Sequence, residues 1–259
     1  ILPISIPMIM IQLLYCPFPE ESFYWYTGAV NYTGIYSLSL ILIGLVLKLA
    51  TRELKKVDRI LSLVIACILA ILVGGDNLAT SLSTFCLLVL LEIVFLAKNK
   101  DGFRRTWFVV LVNIASLCIV CFSTRTQTRL EWNFEGDTLY SPLMAIWESF
   151  VRTFLNIVSW TNLKMLLLLL LMIPFAWKAV RKMHYTFRLP GLFTALSFGV
   201  YASQATATLY VNGTMGGGRQ SAILWYFYVL WIVANEIYWC GWAAGRILKP
   251  EKSEKVDNL

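Results

Sequence analysis

The sequence predicts an all-α polytopic membrane protein, a transmembrane bundle of about seven or eight membrane helices. Hydrophobic residues make up 58% of the 259-residue chain and charged residues 14%, whereas soluble domains average about 45–50% apolar and about 25% charged residues. The mean hydropathy is +0.68. Apolar segments recur along the whole length, and most approach the roughly 17–25 residues that a helix needs to cross a bilayer.

The apolar segments predict the membrane helices and a single domain. Residues 1–246 are expected to form one transmembrane domain, and residues 247–259 a cytoplasmic tail. The chain starts at Ile1 with an apolar segment, without the charged start and small-residue cleavage site of a signal peptide. We therefore expect it to be the carboxyl-terminal portion of a longer protein. The predicted spans lie near 1–15, 33–51, 60–75, 78–97, 106–122, 163–180, 189–211 and 220–243.

Basic residues predict the orientation of these helices. Seventeen of the 22 Lys and Arg residues lie in or beside three loops, 52–59, 98–105 and 178–188, or in the tail. Because Lys and Arg accumulate on the cytoplasmic side, we expect the carboxyl terminus in the cytoplasm of a multi-pass cell-membrane protein. The net charge of +7 reflects this orientation and does not indicate nucleic-acid binding. The extracytoplasmic loops are then 16–32, the turn near 76, 123–162 and 212–219.

One further helix, over residues 139–160, is predicted to lie in the outer membrane interface. Its polar residues recur at spacings of three, four and seven, and Glu148 and Arg152 form an i,i+4 pair on that stripe. If this helix crossed the membrane, the basic loop 178–188 would lie outside, against the charge rule. The alternative is a helix packed within the bundle through its polar face.

Cysteine and histidine usage predicts neither a metal site nor a redox site. Cys118 and Cys121 form a CxxC pair inside an apolar run with no second pair, where cysteine packs as a small hydrophobic side chain. The single histidine, His184, lies among basic residues. The sequence therefore identifies no certain cofactor, and it gives no support for a divalent cation.

Candidate functional residues lie in the extracytoplasmic loops. In "VGGDNLAT", Asp76 is a candidate acid or base in a turn recessed into the outer leaflet, with Asn77 beside it. The alternative is a turn in which Asn77 or Asp76 caps the next helix. Glu92 and Glu236 lie within apolar runs, and we expect structural polar contacts there, for example between Glu236 and Asn235, rather than a proton path.

Two arginine-bearing loops are candidates for binding an anion. Arg125 and Arg129 lie outside against the charge rule, and guanidinium groups match phosphate well; pairing with Glu131, Glu135 and Asp137 is the alternative. In "NGTMGGGRQS", Gly218 and Arg219 precede a helix, where backbone N–H groups and an arginine suit a phosphate. There the alternative is a flexible turn with one arginine extending to the interface.

The stretch "ESFYWYTGAVNYTG" combines aromatic, amide and glycine residues at the predicted outer surface. Some of its aromatic residues belong to the usual belt at the membrane interface. The belt does not require Thr27, Gly28 and Asn31, which make the stretch a candidate wall of a sugar site.

Four short stretches carry a family resemblance: "FYWYTGAVNYT", GGDN followed by AT in "GGDNLAT", "AIWESF" and "YVNGTMGGGR". In these stretches the chain resembles a group of bacterial polytopic proteins related to GtrII-like glucosyltransferases, and more widely to GT-C glycosyltransferases. The resemblance implies a GT-C-like fold, a polyprenyl-phosphate sugar donor and transfer at the extracytoplasmic face to a cell-envelope glycan or lipid. It also implies that the main catalytic acid precedes Ile1, in the first extracytoplasmic loop. Carried over to this chain, the pattern covers Tyr24, Trp25, Thr27, Gly28, Asn31, Tyr32, Gly75, Asn77, Gly218 and Arg219.

We therefore expect a membrane glycosyltransferase, with the lipid-linked donor, the acceptor and membrane lipid as its partners. Asp76 is the catalytic candidate within the chain, and Arg219 with Arg125 or Arg129 is expected to hold the donor phosphate. Tyr24, Trp25 and Asn31 are expected to contact the sugar. A transporter of lipids or lipid-linked sugars, and a non-catalytic envelope-assembly subunit, are the alternatives.

Overall fold

The computed structural model describes residues 2–135, 140–183 and 185–247, and among these it contains helices and no strand. The predicted all-α class is therefore confirmed. Most of the predicted tail and His184 lie outside the described residues. The helices are α1 (Leu2–Leu14), α2 (Tyr26–Gly28), α3 (Ile35–Thr51), α4 (Lys56–Gly74), α5 (Leu78–Lys98), α6 (Lys100–Cys121), α7 (Thr124–Glu135), α8 (Pro142–Trp160), α9 (Leu163–Arg181), α10 (Pro190–Asn212) and α11 (Arg219–Ile247).

Six helical segments of the described residues are long and apolar enough to cross a membrane, which supports a multi-pass membrane protein. In each of them, half or more of the residues are not buried, as expected for helices that expose apolar side chains to lipid. The segments are Tyr26–Thr51, Lys56–Gly74, Leu78–Lys98, Lys100–Cys121, Leu163–Arg181 and Arg219–Ile247. The predicted spans at 1–15 and 189–211 are helical as α1 and α10, but neither is among the six. A total of seven or eight therefore stays a prediction.

The chain forms two compact units. The first unit consists of residues 1–16, 156–198 and 226–259, and the second of residues 17–155 and 199–225. Helices α8, α10 and α11 each contribute one part to each unit.

The second unit is built around a four-helix core. Helices α3 to α6 bury one apolar stripe each, with Leu42 and Val46 on α3, Ala70 on α4, Leu88 on α5 and Val109 on α6 among the fully buried side chains. The small Ala70 lets α4 pack closely against its neighbours. The connections between these helices are short, so consecutive helices lie side by side and run in opposite directions. Polar residues in the connections therefore gather at the two ends of the helix bundle.

Asparagine side chains cap the N-termini of two helices of this core, α5 and α6. Asn77 Oδ1 accepts a hydrogen bond from the Thr80 N–H at 2.9 Å, and Asn99 Oδ1 accepts one from the Gly102 N–H at 3.0 Å. The first bond is the cap that the sequence predicted as one alternative for Asn77. Each cap satisfies an N–H group that has no partner within its helix.

Helix α8 turns its polar stripe toward the protein. Ser149 and Thr153 are fully buried, and the Thr206 hydroxyl of α10 donates to Ser149 Oγ at 2.7 Å. Trp147 and Phe154 are exposed. A helix in the interface would present its polar face to water, so this contact pattern favours the alternative of a helix packed through its polar face. The position of α8 relative to the membrane stays a prediction.

The predicted ion pair of α8 is present. Arg152 Nε donates to Glu148 Oε2 at 3.0 Å, and an Arg152 amino group donates to the Tyr140 hydroxyl at 3.0 Å. The hydrogen bond that Arg152 donates to the Glu148 carboxylate is the main cause that raises the pKa of Arg152. The Arg152 guanidinium is therefore already paired with residues close to it in sequence, Glu148 and Tyr140.

The first unit is held by contacts of α11 with α1, with α10 and with the connection between α8 and α9. The Thr161 and Tyr228 hydroxyls lie 2.6 Å apart, and the Gln12 amide donates to the Tyr226 carbonyl at 3.0 Å. Near the other end of α11, the rings of Phe193 and Tyr238 stack with centroids 4.1 Å apart.

Candidate functional site

A cavity of about 310 Å³ opens among helix ends of the second unit. It is formed by the helical segment Ala29–Gly34 before α3, the α4–α5 turn, the α6–α7 connection, the end of α10 and the start of α11. Their side chains converge although the segments are far apart in sequence. The polar residues that line the cavity are Tyr32, Asp76, Asn77, Ser123, Thr126, Arg129, Thr208, Asn212 and Gln220.

Two glycines allow the α4–α5 turn to lie against α6. A Cβ atom at Gly74 would lie 2.8 Å from the Asn113 carbonyl oxygen, and one at Gly75 would lie 2.9 Å from the Ile71 carbonyl oxygen. Both distances are too short for a side chain. Gly75 itself lines the cavity, so the close packing brings the next residue, Asp76, to the cavity wall.

Asn77 is used structurally and has little capacity left for a ligand. Its Oδ1 caps α5, while its amide donates to the Asn31 carbonyl at 2.9 Å and to Asp76 Oδ2 at 3.2 Å. An asparagine amide has two donor hydrogens, and both have partners here. Asn77 therefore positions Asp76 and the Asn31 backbone.

Asp76 and Arg129 are the charged side chains on the cavity wall. Asp76 is half-buried, and Arg129, on α7, is exposed. The ion pairs of the described residues, Asp101–Arg104, Glu53–Arg105 and Glu148–Arg152, do not include Arg129. Of the alternative partners predicted from the sequence, the side chains of Glu135 and Asp137 lie outside the described residues, and Glu131 forms no ion pair with Arg129. No described residue therefore competes with an anion for the Arg129 guanidinium as an ion-pair partner. In the part of the chain that is described, no group of His, Cys, Asp or Glu residues could hold a metal ion.

Arg219 lies between two aromatic rings next to the cavity. Its guanidinium carbon is 4.6 Å from the ring centre of Trp25 and 5.5 Å from that of Tyr32, and its Nε donates to the Tyr32 hydroxyl at 3.1 Å. Cation–π contacts of this length stabilise an arginine in one orientation. Arg219 does not line the cavity, but Tyr32 does. Arg219 therefore supports the wall at Tyr32.

Glu21 occupies the start of α11, where the sequence predicted a phosphate. Its Oε2 accepts a hydrogen bond from the Arg219 backbone N–H at 3.1 Å. A carboxylate at a helix N-terminus satisfies a free N–H and is stabilised by the helix dipole. The N–H group of Arg219 is therefore already paired with an anion of the chain itself.

Gly28 and Gly218 make room for the Glu21 segment. A Cβ atom at Gly28 would collide with the Glu21 carbonyl oxygen, and one at Gly218 would collide with the Glu21 carboxylate. Gly218 also has φ +57°, a conformation that favours glycine. Both glycines are buried, and their role here is close packing.

The remaining predicted residues lie away from the cavity wall. Tyr24 is 84% exposed, and Trp25 and Thr27 are also exposed. Asn31 takes part through its carbonyl group. The backbone of Arg125 belongs to α7, but its side chain is not among the parts of the chain that the structure describes.

Several lining residues were not predicted from the sequence. Ser123 and Thr126 lie at the start of α7, Thr208 and Asn212 near the end of α10, and Gln220 follows Arg219. Small polar residues at helix ends are common as caps, so their sequence pattern carries no signal for a cavity. Glu21 borders the aromatic stretch, and only the fold brings it to α11.

No protein-family model matches the chain, and comparisons with curated proteins and with solved structures give no match. The resemblance to GT-C glycosyltransferases therefore stays a prediction.

Proposed function

We propose that the protein is a membrane glycosyltransferase that moves a sugar from a polyprenyl-phosphate donor to an extracytoplasmic glycan or lipid. The observation that carries the proposal is the cavity of the second unit. There, one carboxylate (Asp76), one arginine that forms no ion pair among the described residues (Arg129) and one aromatic ring (Tyr32) meet with hydroxyl and amide side chains. This set suits an anionic phosphate beside an uncharged sugar.

In the proposed reaction, an acceptor hydroxyl oxygen attacks the anomeric carbon of the donor sugar. The bond between that carbon and the phosphate oxygen breaks, and polyprenyl phosphate leaves. Asp76 accepts the hydroxyl proton or orients the hydroxyl group, and Arg129 neutralises the phosphate charge that grows as the bond breaks. Tyr32, held by Arg219, forms the wall beside the sugar.

The transport alternative requires a continuous polar path through the bundle. On α5, the buried residues one turn apart below the cavity are Thr80, Thr84, Leu88 and Glu92. Leu88 is fully buried and interrupts the polar residues. This interruption favours chemistry at the cavity over passage through the second unit.

Transfer of labelled sugar from polyprenyl-phosphate glucose to endogenous acceptors tests the proposal in membranes that contain the full chain. We expect Asp76→Asn to lower the transfer rate by about 100-fold, as loss of a general base does. Asp58→Asn is the matched control, because Asp58 is exposed in the first turn of α4. Unchanged transfer in Asp76→Asn would remove Asp76 from the mechanism.

Arg219→Ala in the same assay tests the support of the cavity wall. Loss of the guanidinium removes the hydrogen bond to the Tyr32 hydroxyl and both ring contacts. We expect weaker transfer with a raised KM for the donor. If Arg219→Ala transfers sugar as the wild type does, Arg219 has no role in the site.

A further inference from the structure

Glu236 lies in an apolar groove of the first unit. The groove encloses about 240 Å³ between α9 and α11, and apart from Glu236 and Asn235 every lining side chain is Leu, Ile or Trp. Glu236 lies eleven residues before the end of α11, a distance of about 16 Å along the helix axis. Both helices belong to segments apolar enough to cross a membrane.

The Glu236 carboxyl group has no polar partner among the described residues. Both of its oxygens are buried and form no hydrogen bond. The predicted pairing with Asn235 does not occur, because the Asn235 side chain contacts the Thr194 and Ser197 hydroxyls and the Trp231 carbonyl instead. No ion pair of the described residues includes Glu236 either.

The groove faces outward. Leu166, Leu170 and Ile173 of α9 and Trp239 of α11 line it, and all four are among the exposed large apolar side chains. In a membrane-crossing segment such side chains contact lipid. A lipid-soluble molecule can therefore reach the groove from the bilayer.

An isolated carboxylate in hydrocarbon is strongly disfavoured, and the neutral acid is the form that such a site stabilises. The lining side chains of α9 are all Leu or Ile. The α10 residues next to Asn235 are uncharged. The Cys240 thiol, one turn along α11, interacts electrostatically with Glu236 and carries no positive charge. Among the described residues, no Lys or Arg lines the groove to pair with the carboxylate, although α9 and α11 carry Lys and Arg toward their ends.

We propose that Glu236 is a proton-binding site inside the membrane, open to lipid-soluble reagents through the α9–α11 groove. The ligand of the site is a proton, and a hydrophobic carbodiimide is the reagent that recognises the protonated group. In that reaction, the carboxyl proton moves to a carbodiimide nitrogen while a carboxyl oxygen bonds to the central carbon. The O-acylisourea then rearranges to a stable N-acylurea. This site does not depend on the proposed sugar transfer.

Glu92 provides a control within the same chain. It is also buried, at 7% exposure, and neither of its oxygens forms a hydrogen bond among the described residues. However, it lies on the stripe of α5 that packs in the four-helix core, between Leu88 and Phe95, and it lines neither described cavity. A lipid-soluble reagent should therefore reach Glu236 and not Glu92.

The test treats the full chain in lipid nanodiscs with dicyclohexylcarbodiimide and locates the adduct by peptide mass spectrometry. We expect one adduct on Glu236, no adduct on Glu92, loss of the adduct in Glu236→Gln, and retention in Glu92→Gln. Labelling should decrease as the pH rises, because the ionised carboxylate does not add to the reagent. A water-soluble carbodiimide should not label Glu236. An unlabelled Glu236, or equal labelling by the water-soluble reagent, would overturn the proposal.

Glu236→Gln separates this proposal from the proposed enzyme activity. The amide keeps the shape of the protonated acid and removes its reactivity. We expect sugar transfer in this variant to equal that of the wild type. Absence of transfer in the wild type would contradict the proposed enzyme and leave the labelling result decisive for Glu236.

Discussion

At the residue scale, the side chain of Asn77 connects three segments of the second unit. It caps α5, contacts Asp76 and donates to the carbonyl of Asn31 in the helical segment before α3. The cap alone is typically worth about 1 kcal/mol. The hydrogen bond from the Asn77 amide to the Asn31 carbonyl fixes the position of the Asp76 turn relative to the aromatic segment. The shape of the cavity depends on this relative position.

Replacement of Asn77 tests both roles. Asn77→Ala loses the cap and the bond to Asn31, and we expect the free energy of unfolding to fall by about 1–2 kcal/mol. Asn77→Ser keeps an oxygen that can cap α5 but loses the amide donor, so its stability should lie between those of the wild type and Asn77→Ala. Thermal unfolding of the purified protein measures the order. Equal stability of Asn77→Ser and Asn77→Ala would show that the cap contributes nothing.

At the element scale, the segment of residues 20–34 packs on the start of α11 through glycines. Glu21 fills the space above Gly218, and Arg219 reaches back to Trp25 and Tyr32. The sequence marked these glycines as candidates for ligand contact. Their physical role is different, since they permit a carboxylate of the chain to reach the helix N-terminus.

Gly218→Ala should disrupt this packing, whereas Gly217→Ala should not. At Gly218 the added methyl group meets the Glu21 carboxylate, and the φ of +57° is strained for alanine; such strain typically costs about 1–3 kcal/mol. At Gly217 nothing lies within 4 Å of an added Cβ. We expect a lower melting temperature only for Gly218→Ala, and equal melting temperatures of the two variants would contradict the packing described for Glu21.

Helix α8 shows why the sequence can predict a helix but leave its environment open. The spacing of its polar residues fixed a helix with one polar stripe, which is present. The same stripe fits water in an interface or the hydroxyls of a neighbouring helix. The hydrogen bond from Thr206, 57 residues away from Ser149, favours the second environment. The position of Thr206 depends on the fold and not on the local sequence of α8.

At the scale of the whole molecule, the all-α class followed from apolar content, because crossing helices need long apolar stretches. Helices near all the predicted spans are present, since length and hydropathy act locally. The site was only partly predictable. Four of the predicted candidates line the cavity, namely Tyr32, Asp76, Asn77 and Arg129. The hydrogen bond between Glu21 and the start of α11, however, joins residues 198 positions apart. No local sequence pattern predicts a contact over such a separation.

Under the proposed function, the cavity of the second unit binds a lipid-linked sugar phosphate through Arg129. The most direct measurement is the affinity of polyprenyl-phosphate glucose for the full chain in nanodiscs, in the wild type and in Arg129→Gln. A charge-assisted hydrogen bond is worth about 1.5–3 kcal/mol, so we predict that Arg129→Gln weakens binding by about 10- to 100-fold. Arg104→Gln, at an exposed arginine of the basic loop 98–105, should bind as the wild type does. Equal affinity of Arg129→Gln and the wild type, or a wild type that does not bind this lipid, would contradict the claim.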